Sequence, residues 1–174
     1  MSFAEEKFAY IYLDEQHNMA IFPFTKNPNY SEECTDLLTS EPEYTFSKKP
    51  IELMYPYPVE LLAGALQNAI EQWGKQEAYT NKRVSKEEYY YKIRGFKKAS
   101  LRKRLLIFGW DSSGEKNVSL SLPTKARMYY LTLANQQLPA DATWMDFAHA
   151  ILELVHTNVT TLDTYKTFKS KLNV

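Results

Sequence analysis

One cysteine, five glycines and three histidines are all that these 174 residues hold of those types. The lone Cys34 cannot close an internal disulfide, so nothing calls for an oxidising compartment. Its setting, Glu32-Glu33-Cys34-Thr35-Asp36, surrounds the thiol with carboxylates that disfavour a reactive thiolate. Few glycines leave no phosphate-cradling loop: Gly-x-x-x-x-Gly-Lys and Gly-x-Gly-x-x-Gly do not occur. A Gly-x-Ser-x-Gly elbow and a His-Glu-x-x-His zinc helix are missing too. His149 and His156 stand seven residues apart, about 10.5 Å along a helix, too far to share one metal ion. His17 falls in a predicted turn. No apolar run approaches the ~20 residues that cross a bilayer, so no membrane partner is expected. The segment Met1–Lys7 lacks the basic start and apolar stretch of a secretory signal, and a cytoplasmic protein is the expectation. We therefore expect no enzyme, no cofactor and no metal.

Net charge is missing as well, but charge is not. The 21 basic and 21 acidic side chains cancel only because they are sorted along the chain. Residues 1–60 carry eleven acids against four bases, and residues 75–104 carry eleven bases against three acids. A neutral total built this way implies a dipolar surface suited to charged partners. Aromatics are plentiful, with 13 Tyr, nine Phe and three Trp. Most tyrosines are expected on half-buried strands, and any left exposed would serve recognition.

Periodicity predicts one α+β domain over 1–174, a mainly antiparallel sheet built from hairpins with two or three helices packed on it. Alternation over Phe8–Leu13, a turn at 14–18 and Met19–Phe22 read as a hairpin that Pro23 closes. Residues 25–50 read as loop with one short helix near Ser31–Leu38. Ile51–Tyr57 reads as an edge strand or extended approach because of Pro56 and Pro58. Val59, Leu62, Ala63, Leu66, Ala69, Ile70 and Trp73 recur at helical spacing, with Pro58 at the start and Gly74 as C-cap. Glu88–Phe96 reads as a strand, and Arg104–Trp110 with Asn117–Leu122 as a hairpin. Met128–Leu133 reads as a further strand. Thr143 and Asp146 open a second helix as a capping box, and Asp163–Leu172 a short third one.

Two segments could meet a partner. In 92–104, basic residues and nearby Tyr89, Tyr90, Tyr91 and Phe96 could track phosphates and stack bases. The same residues could equally form a solvated basic edge that blocks aggregation. No nucleic-acid signature accompanies them, which makes nucleic acid the lesser expectation. From Glu32 to Tyr44 the chain is acidic and aromatic, either a solvated loop face or a surface that docks on a basic protein.

Element order, with a few positions, resembles the immunity proteins of bacterial contact-dependent growth inhibition systems. The stretches that carry the resemblance are Glu60–Ile70 (ELLAGALQNAI), Tyr91–Lys98 (YKIRGFKK) and the Leu105–Leu122 hairpin, within residues 51–135. The chain departs from that pattern at Lys98-Ala99 and in its long 25–50 stretch. The resemblance implies a binding protein that neutralises the C-terminal toxin domain, often a basic nuclease, of a large secreted effector. On that footing the expected toxin-facing residues are Asp14, Glu15, Glu32, Glu33, Asp36, Glu41, Glu43 and Tyr44, with the basic 92–104 segment as the alternative face.

Overall fold

The structure, a computed structural model, describes residues 5–13, 17–26, 44–46, 50–75, 104–123 and 130–157. The helices expected at Ser31–Leu38 and Asp163–Leu172 and the strand expected at Glu88–Phe96 lie outside these residues.

Alternation makes β1 (Lys7–Leu13) and β2 (Met19–Phe22) a hairpin with Leu13 opposite Met19 and Tyr10 opposite Phe22. On its other side β1 pairs antiparallel with β6 (Arg104–Trp110), from Lys7 opposite Trp110 to Leu13 opposite Arg104. From β6 the chain turns into β7 (Lys116–Pro123) and then β8 (Tyr130–Leu138). The strand β5 (Ile51–Leu53) pairs with β2 and forms an edge, as Pro56 and Pro58 foretold. The result is a six-stranded antiparallel sheet in the order β5-β2-β1-β6-β7-β8. The strand expected at Met128–Leu133 instead runs on to Leu138, through an Ala134-Asn135-Gln136-Gln137 stretch of weak strand preference held by the β7 ladder.

Two helices pack on one face and on each other: α1 (Val59–Glu71) over β1, β2 and β5, and α2 (Trp144–Thr157) over β7 and β8. Their stripes meet the inward residues Ala9, Ile11, Leu13, Met19, Ile21, Leu106, Phe108, Val118 and Leu120. Leu62, Leu66 and Ile151 are fully buried there, each adding about 1.5–3 kcal/mol by leaving water. Pro58 stands outside α1 as its N-cap, in extended conformation. The C-cap is Gln72, and Gly74 supplies the left-handed φ of +69° two residues later. Trp73 therefore leaves the helical stripe and packs against Phe8 and Phe24.

Residues that alternate with the core set face away from the helices. Tyr12, Ala20, Phe22 and Leu105 are buried there in a second cluster, with Tyr10 and Ile107 packed against it. Beside Pro23 the chain leaves the main sheet, and β3 (Phe24–Lys26) pairs with β4 (Tyr44–Phe46) in a small separate ribbon. The sequence reading had loop here. Three-residue strands paired across a distance leave no periodic signal.

Candidate functional site

The register places several chain segments at one end of the sheet. Leu13 and Met19 flank the β1–β2 turn, Leu53 lies opposite Met19, and Arg104 lies opposite Leu13. The acidic turn, the loop leaving β5 and the C-terminal limit of the basic 92–104 segment thus converge. Residues 14–16 and 92–103 themselves lie outside the described residues.

The loop between β5 and α1 is Met54-Tyr55-Pro56-Tyr57-Pro58. Two prolines remove the N–H groups that a longer strand would need, so the ladder stops at Leu53. The loop is tied to the exit of the β1–β2 turn. Tyr55 N–H donates to the buried Asn18 Oδ1 at 2.8 Å, and the Tyr57 hydroxyl donates to His17 O at 3.2 Å. His17 sits at φ +65°, a conformation that histidine tolerates better than most residues, and its ring lies 5.6 Å from that of Tyr55. The Tyr57 ring meets Tyr55 edge-on at 5.8 Å and packs on the helix-side core.

The backbone of Tyr55 is held, yet its side chain stays in water. Met54 is 65%, Tyr55 58% and Leu61, in the first turn of α1, 53% exposed. Among the described residues these are the exposed large apolar side chains. Glu52 and Glu60 stand exposed beside them, and residues 50–74 contain no Lys or Arg.

All seven acidic residues expected to face a toxin, Asp14, Glu15, Glu32, Glu33, Asp36, Glu41 and Glu43, lie outside the described residues. Tyr44 opens β4 opposite Lys26, and Lys26 N–H donates to Lys75 O beyond the C-terminus of α1. Its backbone is thus at the other end of α1 from the β1–β2 turn. Composition had flagged exposed tyrosines in general but not Tyr55, whose backbone is held by a bond to Asn18, 37 residues away in the chain. His149 and His156 are exposed on α2, as a surface reading of that helix expects. Among the described residues, no group of three His, Cys, Asp or Glu could hold a metal ion.

At the opposite end, acids are engaged locally. Ser113 Oγ donates to Asp111 Oδ1 at 2.6 Å, and the Ser113 and Glu115 N–H groups donate to the same atom. These bonds, that of the Ser113 hydroxyl first, hold the Asp111 carboxyl below the usual aspartate range. Asp146 accepts from Thr143 N–H at 2.6 Å and from Thr143 Oγ1 at 2.7 Å, which lowers its pKa likewise.

No protein-family model matches the chain, and no curated protein matches it. Among solved structures it is similar to a protein of unknown function from Neisseria meningitidis, with a TM-score of 0.50 and 12% identity. The match covers 88% of this chain and 96% of that one. At such identity the likeness speaks for the fold alone. No helix among the described residues is long and apolar enough to cross a membrane.

Proposed function

We propose that this chain is an immunity protein that binds and neutralises the C-terminal toxin domain, a nuclease, of a contact-dependent growth inhibition effector. It works in the cytoplasm by binding and performs no catalysis. The observation that carries the reading is the convergence at one sheet end of the β1–β2 turn, which holds Asp14 and Glu15, with the exposed Met54, Tyr55 and Leu61. Nucleases hold polyanions and are basic around their active sites. An acidic surface with apolar anchors suits them: complementary fields speed encounter, and desolvated aromatic contacts hold the complex.

Co-purification tests the reading. The tagged chain is expressed in its native host with the neighbouring genes intact, and what elutes with it is weighed by mass spectrometry. A stoichiometric fragment from the C-terminus of a large secreted protein is the expected result. Eluted RNA or DNA, with steeply salt-dependent binding by the purified chain, would instead favour a nucleic-acid module using 92–104. That second reading draws on Arg104, the last residue of that stretch, which pairs opposite Leu13 at the same sheet end.

A further inference from the structure

We infer that β8 is a pairing edge for a second copy of this chain, whose own β8 adds antiparallel across a two-fold axis and doubles the six-stranded sheet. This edge is the one farthest from β5 and the loop that follows it, so the pairing stands or falls apart from the toxin reading.

The two edges of the sheet are built differently. β5 is three residues long, carries Glu52 at its centre and is followed by Pro56 and Pro58. Short length, charge and proline are the devices that keep an edge from pairing. β8 has none of them. It runs nine residues, Tyr130–Leu138, with no Asp, Glu, Lys, Arg or Pro among them. Among the described residues its ladder has one neighbour, β7. The register slips once, at Leu133, and leaves Ala134–Leu138 as a regular run opposite Lys116–Leu120. Thr132, Asn135 and Gln137 are exposed along the strand.

Neutrality and amide chemistry select the occupant. Across a two-fold axis a strand meets its own sequence, so a charged edge opposes like with like, as two β5 edges would at Glu52. β8 brings no such repulsion. Asn135 and Gln137 alternate onto one face, opposite Ser119 and Asn117 of β7. A carboxamide both donates and accepts, so it can bond to a copy of itself, as a carboxylate or an ammonium cannot. A basic or acidic partner finds no opposite charge on this strand to steer it. Centring Ala134–Leu138 on the axis puts Asn135 opposite the partner's Gln137, and Gln137 opposite the partner's Asn135.

Sedimentation equilibrium of the full chain over a concentration series tests the pairing. The wild-type chain should pass from monomer to dimer as concentration rises. Asn135→Lys/Gln137→Lys and Asn135→Glu/Gln137→Glu should each weaken the dimer at least about tenfold, because like charges then face one another. Mixing the two variants should restore it as a heterodimer, because opposite charges then meet. Melting curves matching wild type establish that each variant is folded. Where they differ, amide exchange on the wild-type chain decides: the N–H groups of Ala134–Leu138 should gain protection with concentration. A wild-type chain that stays monomeric throughout would overturn the pairing. So would a dimer that either charged variant leaves intact, or one that mixing fails to restore. A dimer lost instead on Met54→Ala/Tyr55→Ala would place the contact at the β5–α1 loop and overturn it likewise.

Discussion

Where β6 turns into β7, aromatic side chains face one another; where β1 turns into β2, an aromatic side chain faces water. At the first end Trp144 stacks on Phe147 at 5.3 Å, Phe147 meets Phe108 edge-on, and Trp110 bonds through Nε1 to Glu5 O at 3.0 Å. Asp111 and Asp146 spend their acceptor capacity on a turn and a cap. At the second end the tethers are backbone and hydroxyl bonds, and Met54, Tyr55 and Leu61 remain more than half exposed. Similar residue types thus hold the fold together at one end and stand exposed at the other. Composition does not distinguish the two; burial and the partner atoms do.

Substitutions should separate the ends, and the largest effect belongs to the packed one. Phe147→Ala should cost about 3–5 kcal/mol in chemical denaturation, since it empties a fully packed site between Phe108 and Trp144. Gly109→Ala should cost on the order of 3 kcal/mol. Its φ is +145°, and an added Cβ would lie 2.0 Å from Lys7 O, so β1 would have to move. Thr143→Ala should cost about 1 kcal/mol by opening the cap of α2, measured as a shifted denaturation midpoint. The same cap has a pH signature. Because folding depresses the Asp146 carboxyl pKa, its contribution is present above the unfolded value and fades as pH falls through the folded one. Melting temperature should therefore drop below about pH 4, and less steeply in Asp146→Asn. Smallest of all should be Tyr55→Ala at the open end, within about 0.5 kcal/mol of wild type in stability. A large stability loss there would erase the contrast between the ends.

Legibility followed the range of the forces. The β1–β2 and β6–β7 hairpins and both described helices were readable because alternation and the 3.6-residue stripe are local imprints of burial. Thr143 and Asp146 announced their helix because a capping box is closed within four residues. The β3–β4 ribbon was not readable: Phe24 and Phe46 pair across twenty-two positions with only three residues on each side. Trp73 was placed on the helix stripe because its spacing fits, but the chain turns at Gln72 and Phe8 and Phe24 claim it. Of the eight residues expected to face a toxin, only Tyr44 falls among the described residues. The exposed Met54 and Tyr55 were hidden in a segment that reads as an edge strand. Its signature, Pro56 and Pro58 after an apolar run, tells where pairing stops but not which side chain is left outside.

The seam between β1 and β6 joins residues far apart in the chain, from Leu13 with Arg104 to Lys7 with Trp110. A ribosome adding ~5–20 residues per second therefore needs roughly 5 to 20 seconds between releasing the first strand and releasing its partner. Through that interval the nascent β1–β2 hairpin must wait with one hydrogen-bonding edge unclaimed. The centre of the sheet cannot close until Arg104–Trp110 has been made, so a chain cut short before that strand would lack the partner that completes it.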